Sequence, residues 1–228
     1  MSDDHVNAIS IRADGTVFIA TSEGISQIEK RKYTLEQKAE AFEKTILARH
    51  DRRGYITSCN LKVPGDLSSH MYRASDNDGL WTSLYVAAQS FRYAATGQPN
   101  AKKLARRSMM AIIQLESVTP IDGFPARAII QKGETVEKSH GERHDTEDGF
   151  SEWKGDTSSD ELDGHLFAYL IYYDLVADER EKQNMTEVVH RIMPHIVDND
   201  FLLIDLDGLH TTRECGLHEC LMEAATQS

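Results

Sequence analysis

Two short segments of this sequence contain carboxylate and amide side chains that could do chemistry together. They are Asp76, Asn77 and Asp78 in the first segment, and Asp156, Asp160 and Glu161 in the second. Hydrolysis of a glycosidic bond uses two carboxyl groups, one protonated as the acid and one ionised as the base or nucleophile. The same residue types also cap helices, and Ser158-x-x-Glu161 fits a capping box. Two interpretations therefore stay open: Asp78 with Asp160 or Glu161 as a catalytic pair, or helix capping.

Several neighbouring side chains could bind a sugar. Asp76, Asn77 and Asp156 could orient the carboxylates or bind hydroxyl groups, although turn chemistry explains these residue types equally well. An indole offers a broad apolar surface on which a sugar ring can stack. Trp153, in a polar segment, is the predicted platform, whereas Trp81, in an apolar segment, is the predicted core residue.

Two further side chains could act on an acidic sugar. Arg127 could form a bidentate pair with a uronate carboxylate, and a structural salt bridge is an equal alternative. His165 begins an otherwise apolar stretch, where an imidazole could bind substrate or move a proton. A core histidine with satisfied hydrogen bonds is the slightly favoured interpretation of His165.

Neither a metal nor a cofactor is predicted. Five potential metal ligands lie close together in the sequence, namely His140, Glu142, His144, Asp145 and Asp148. Their spacing matches no metal motif of known geometry, so a solvated loop is the simpler interpretation. Cys59, Cys215 and Cys220 cannot all pair within one chain, and no adjacent base suggests a thiol nucleophile. Motifs of nucleotide-binding loops, serine-hydrolase elbows and zinc proteases are absent.

Five helices are predicted to position these groups. Their predicted ranges are 34–53, 79–96, 101–118, 160–177 and 179–197. The second and fourth are apolar nearly all round, as expected of surrounded helices, whereas the third and fifth are amphipathic. An inner helix followed by an outer helix thus occurs twice, which favours stacked αα-hairpins.

The N-terminal region has a different pattern. Asp14-Gly15 and Glu23-Gly24 separate short alternating runs, which predicts strands at about 8–12, 16–21 and 24–28. Residues 51–77 show no clear periodicity and are predicted to form a long loop. Residues 120–158 are predicted to be mostly surface loop, with an extended stretch at 121–130.

Composition limits the classes of function. The chain has 228 residues, of which 40% are hydrophobic and 27% charged, so neither a disordered polymer nor a membrane bundle fits. A net charge of −12 repels nucleic acids, whereas sugar-like ligands remain open. The sequence shows no signal peptide and no membrane span, which predicts a cytoplasmic protein. The compartment stays open if the chain is a fragment of an exported protein.

Two stretches resemble known families. GTVFIATSEGI, at 15–25, resembles part of a blade from the two-component-regulator type of β-propeller. SDNDGLWT at 75–82, WKGDTSSDE at 153–161 and the following Asp163-Gly164-His165 are similar to the α/α toroid of six-hairpin glycosidase-like proteins. That resemblance implies a ring of inner and outer helices with a carbohydrate cleft at one mouth, as in glycoside hydrolases and some polysaccharide lyases.

The resemblance also implies a domain organisation. The expected fold is mainly α: a β-hairpin at 1–31, a partial toroid at 32–208 and an irregular tail at 209–228. In a toroid the N-termini of inner helices gather at one rim, which would bring Asp78 close to Asp160 and Glu161. A complete ring needs six hairpins, so the chain is expected to be a truncated half-ring that self-associates through its apolar flank.

The resulting functional expectation is a carbohydrate-active protein. A glycoside hydrolase acting on oligosaccharides through the carboxylate pair is preferred. One alternative is a lyase on an acidic polysaccharide, with Arg127 neutralising the uronate and His165 as base. Another is a non-catalytic carbohydrate-binding or sensory fragment. A carbohydrate is the expected partner in each case, with neither nucleic acid nor membrane.

Overall fold

The computed structural model describes residue 3 and residues 5–212. Of these described residues, about 44% are helical and 21% are in strands. The helices are α1 (Leu35–Arg49), α2 (Asp78–Thr96), α3 (Pro99–Ser117), α4 (Ser159–Leu175) and α5 (Glu179–Asp198), with a 3-10 turn at Leu67–Ser69. The strands are β1 (Val6–Ile11), β2 (Val17–Thr21), β3 (Gly24–Ile28), β4 (Asp51–Arg52), β5 (Tyr55–Ile56), β6 (Cys59–Leu61), β7 (His70–Ala74), β8 (Ala128–Gln131), β9 (Glu137–Lys138), β10 (Arg143–Asp145) and β11 (Ser151–Lys154).

The fold class differs from the expected one. The five predicted helices and the three N-terminal strands are confirmed. However, the segments predicted to be loops contain the short strands β4 to β11, and the strands form four small sheets. The chain therefore has a mixed α/β fold, and the prediction of a mainly α toroid is wrong. The resemblance to six-hairpin glycosidase-like proteins is wrong for the same reason, and so is the truncated half-ring that was derived from it.

Most of these strands are too short to leave a sequence pattern. Five of them, β4, β5, β6, β9 and β10, have only two or three residues, whereas alternation of apolar and polar residues becomes recognisable over about four to eight residues. The longer strand β8 overlaps the extended stretch predicted at 121–130, and β7 and β11 were missed.

The chain divides into two units, of which the first comprises Met1–His50 and Cys59–Tyr72. Strands β1, β2 and β3 form an antiparallel meander, and Asp14 accepts a hydrogen bond from the Thr16 amide at the first turn. Thr34 caps α1 in a capping box with Gln37. The first residues of β7 pair with β6.

The second unit comprises Asp51–Ser58 and the chain from Arg73 onward. Helix α2 packs against both α3 and α4. Gly164 of α4 lies against Leu80 of α2, where an added Cβ would come within 2.8 Å of Leu80 Cδ1. This close approach places the first turn of α2 beside the first turn of α4. Strands β8, β11 and β10 form an antiparallel sheet with β11 in the centre.

Helices α2 and α4 are not surrounded on all sides, contrary to the prediction. Both expose large apolar side chains, namely Trp81, Leu84 and Phe91 on α2 and Phe167, Leu170 and Tyr173 on α4. Their opposite faces are buried with the core residues Val86, Leu162 and Tyr172. Self-association of the chain stays a prediction.

Part of the sequence analysis falls outside the described residues. The predicted irregular tail at 209–228 is described only as far as residue 212, and Cys215 and Cys220 lie beyond that point. Within the described range, none of the helices combines the length and the apolar character that crossing a membrane requires.

Candidate functional site

An open cleft of about 760 Å³ lies at the N-terminal ends of α2 and α4. Its lining residues are Arg73, Ser75, Asp76, Asn77, Trp81, Arg127, Ser158, Ser159, Asp160 and Thr212. Both acidic segments singled out in the sequence contribute to it. The structure therefore brings together side chains that are far apart in the chain.

Asn77 connects the two acidic segments. Its Nδ2 donates to Asp160 Oδ2 over 2.8 Å, and its Oδ1 accepts from Arg127 Nη2 over 2.6 Å. The Asn77 side chain makes no capping bond to its own helix. The Asn77 side-chain amide thus links Asp160 and Arg127, which both line the cleft.

Arg127 is a buried scaffold residue of the cleft. Its Nε donates to the carbonyl of Asp76, Nη1 to the carbonyl of Asp156 over 2.8 Å, and Nη2 to Asn77. All three guanidinium nitrogens thus donate to the protein. These contacts favour a structural role for Arg127, although with carbonyl groups rather than the salt bridge considered from the sequence.

Asp78 lies beneath the cleft and is completely buried. Its carboxylate pairs with Arg52 Nη2 at 3.0 Å and accepts from the Ser75 amide and hydroxyl at 3.0 and 2.7 Å. Burial raises the pKa of Asp78 to about 6, because the opposing effects of Arg52 and Ser75 are smaller. Such a pKa suits an acid catalyst, but the side chain does not line the cleft.

Glu161 is also completely buried, and it caps a helix other than its own. Its two carboxylate oxygens accept from the backbone amides of Gly79 and Leu80, at 2.7 and 3.0 Å. A carboxylate at a helix N-terminus satisfies free N–H groups and interacts favourably with the helix dipole. The expected capping box with Ser158 is absent, since Ser158 makes no side-chain capping bond. Glu161 caps α2 from α4 instead.

The three predicted catalytic carboxyl groups are therefore neighbours with different surroundings. Asp78 and Glu161 interact electrostatically inside the protein. Asp160 is exposed and lines the cleft. Of the three, only Asp160 is placed to touch a ligand in the cleft.

The two tryptophans have the reverse of their predicted roles. Trp81 is 47% exposed and lines the cleft, whereas Trp153 is 1% exposed. Trp153 belongs to the central strand β11, and its ring lies 4.6 Å from that of His144. The predictions of a Trp81 core residue and a Trp153 platform are wrong, because the strand that buries Trp153 was not recognised and α2 has an open face.

His165 and Asp156 do not reach into the cleft. His165 is completely buried; its Nδ1 lies 3.5 Å from Tyr169 Oη, and its Nε2 has no hydrogen-bond partner among the described residues. The burial agrees with the favoured interpretation of a core histidine, but the hydrogen bonds of the ring are not all satisfied. The Asp156 carboxylate accepts from the amide and hydroxyl of Thr212. Asp156 thus links the segment before α4 to Thr212, which lies 56 residues later in the chain.

The acidic and histidine-rich loop does not assemble a metal centre. Among the described residues, no group of three or more His, Cys, Asp or Glu side chains could hold an ion. Asp145 pairs with Lys132 at 3.1 Å, and Asp148 accepts from the Thr146 hydroxyl at 2.5 Å.

Five lining residues were not predicted from the sequence: Arg73, Ser75, Ser158, Ser159 and Thr212. Ser75, Ser158 and Ser159 are sequence neighbours of the predicted site residues, and this proximity could have indicated that they line the cleft. Arg73 lies in β7, which the sequence did not reveal as a strand. No local signal marks Thr212.

Comparison with known proteins assigns no family to the chain. No family model matches it, and neither a curated protein nor a solved structure does so. The cleft and its side chains are therefore the basis for a function.

Proposed function

We propose that the chain binds an oligosaccharide in this cleft, with one sugar ring stacked on Trp81. The observation that carries the proposal is the half-exposed indole of Trp81 in a cleft whose other lining side chains are polar. A sugar ring presents apolar C–H faces and hydroxyl edges. An aromatic surface with polar groups around it is complementary to both.

The polar lining supplies partners for sugar hydroxyl groups. Asp160 is exposed, and its carboxylate can accept hydrogen bonds in addition to the one from Asn77. Ser158 and Ser159 lie next to it in the cleft wall. Hydrogen bonds to an ionised carboxylate are about twice as strong as those between neutral groups. Asp160 is therefore the expected main anchor for hydroxyls.

Replacing Trp81 with alanine tests this proposal. Trp81→Ala is expected to weaken oligosaccharide binding by about tenfold or more, because a stacked tryptophan is a typical binding hot spot. Titration calorimetry against a panel of neutral and charged oligosaccharides measures the effect. Phe91→Ala is the matched control, since Phe91 is also exposed on α2 but does not line the cleft. Equal effects of the two substitutions, or no binding of any oligosaccharide by the wild type, would contradict the proposal.

Glycoside hydrolysis is a second candidate, which one observation favours. A second carboxylate, Asp76, lines the same cleft as Asp160. Burial raises the pKa of Asp76, but hydrogen bonds from Lys154 and Ser139 outweigh it and leave the pKa below its usual value. Asp76 would therefore be the ionised base or nucleophile of such a pair, and Asp160 is the other carboxyl group among the lining residues.

If the protein is a glycoside hydrolase, replacing either carboxylate of the cleft should remove most of its activity. Asp76→Asn and Asp160→Asn are each expected to lower the rate of reducing-sugar release by about 100-fold or more, since general acid–base catalysis contributes about that much. Calorimetry on the same variants shows whether binding persists. If the wild type binds oligosaccharides and releases no reducing sugar from any, the protein is a binder and the hydrolase candidate is wrong.

A further inference from the structure

We propose that the oligosaccharide is anionic and that Arg73 binds its carboxylate or sulfate group. This inference rests on the proposed function, whose ligand class it specifies. Arg73 belongs to the part of β7 that pairs in parallel with β9. The register sets Arg73 beside Glu137 and directs its guanidinium to the cleft that Trp81 also lines.

The Arg73 guanidinium has unused hydrogen-bonding capacity. Its side chain is 42% exposed, yet its Nε is buried and has no hydrogen-bond partner among the described residues. Glu137 Oε1 lies 3.9 Å from that nitrogen, which is beyond hydrogen-bonding distance. The buried Nε cannot reach a ligand, so an oxygen of a ligand in the cleft would accept from the exposed part of the Arg73 guanidinium.

The other cations at this cleft are already engaged by the protein. Arg127 donates from all three nitrogens to backbone and amide oxygens. Lys154 donates to Asp76, to Ser139 Oγ at 3.2 Å and to the carbonyl of His140. Arg73 lines the cleft, and its 3.9 Å ion pair with Glu137 is its recorded contact with a protein anion, so its exposed guanidinium is placed to bind an anionic ligand.

The surrounding charge makes this interaction selective. The net charge of −12 repels anions from most of the surface. The electrostatic field of the whole protein therefore does not add to the affinity for an acidic sugar. A guanidinium binds the planar carboxylate with two parallel hydrogen bonds and also suits sulfate. Attraction should therefore depend on Arg73 specifically and be weakened by salt.

Calorimetry with matched oligosaccharides tests the inference. The probes are an oligogalacturonate, the neutral oligomer obtained by reducing its carboxylates, and a sulfated oligomer of similar length. The wild type is expected to bind an anionic probe about tenfold or more tighter than the neutral one, since charge-assisted bonds are the stronger class. The preferred anionic probe distinguishes a carboxylate ligand from a sulfate ligand.

Three variants make the test specific. Arg73→Gln is expected to lower the affinity for the anionic probe by about tenfold, and the affinity for the neutral probe by much less. Glu137→Gln is expected to strengthen anionic binding, because it removes the competing negative charge beside Arg73. Lys132→Gln is the control for charge, since Lys132 pairs with Asp145 and does not line the cleft. Thermal melting verifies that the variants are folded.

The outcomes separate this inference from the proposed function. If neutral and anionic probes bind equally well and both depend on Trp81, the Arg73 inference is wrong and the proposed function stands. The inference is also overturned if Lys132→Gln and Arg73→Gln have the same effect. If none of the probes binds, the proposed function itself is contradicted, and the Arg73 inference falls with it.

Discussion

Gly79→Ala is expected to destabilise the protein by about 2–3 kcal/mol. This is the opposite of the usual effect, because alanine is a better helix former than glycine. At an ordinary site inside a helix, the same substitution is expected to stabilise by up to about 1 kcal/mol. Gly79 lies in the first turn of α2, and its amide donates to Glu161. The sign of the effect therefore reports on packing rather than on helix propensity.

Packing around Gly79 explains the expected loss. A Cβ at this position would lie inside van der Waals contact with Glu161 Oε1 and His165 Nε2. Both neighbours are completely buried, so neither can rotate into solvent. Glu161 would be displaced from the amides that it caps, and two N–H groups at the start of α2 would lose their acceptor.

Chemical denaturation and thermal melting measure this effect. A loss of 2–3 kcal/mol corresponds to a fall in Tm of about 5–10 °C for a domain of this size. Ala88→Gly is the matched control, because Ala88 is exposed in the same helix; it should cost about 1 kcal/mol through propensity alone. A Gly79→Ala protein as stable as the wild type, or more so, would show that the contact with Glu161 is not tight.

Arg52→Met is expected to destabilise the protein by about 3–5 kcal/mol near neutral pH, as breaking a buried ion pair typically does. Arg52 is buried and pairs with Asp78 at 3.0 Å and Glu134 at 3.2 Å. It also donates to the carbonyl of Ile129 over 3.0 Å. Removing the guanidinium leaves the fully buried Asp78 without its cation.

The cost of Arg52→Met should depend on pH. In the wild type the pKa of Asp78 rises from 3.8 to about 6 on folding, so the native state binds the proton more tightly. Tighter binding of the Asp78 proton stabilises the native state. This stabilisation is complete below pH 3.8 and is lost as the pH rises through 6. Without Arg52 the folded pKa rises further, because the attraction that lowered it is gone. Arg52→Met should therefore cost more at about pH 8 than at about pH 5.

Unfolding at the two pH values, with two further variants, checks this prediction. Arg53→Met is the neighbouring control, because Arg53 is partly exposed and pairs with Glu134 at 3.3 Å; it should cost about 1 kcal/mol or less. The double variant Arg52→Met/Asp78→Asn should recover stability at the higher pH, since it leaves no uncompensated carboxylate. A cost independent of pH would contradict the role assigned to Asp78.

The sequence predicted the helices and the three N-terminal strands because their signals are local. Apolar residues recur at helical spacing in α1, α3 and α5 and are nearly continuous in α2 and α4, over fifteen or more residues in each helix. The short strands of the second unit have no comparable signal, and their absence from the prediction led to the wrong fold class. The resemblance to a helical ring was inferred without these strands, which such a ring does not contain.

The sequence by itself singled out the two acidic segments, and both reach one cleft. Only the tertiary structure decided which of their side chains line the cleft and which are buried. Asp78 and Glu161 are buried by the close contact of α2 and α4, and Trp153 by the pairing of β11 with its neighbours. Trp81, Arg73 and Asp160 remain at the surface of the cleft. Burial depends on contacts between residues distant in sequence, and residue type and spacing do not specify those contacts.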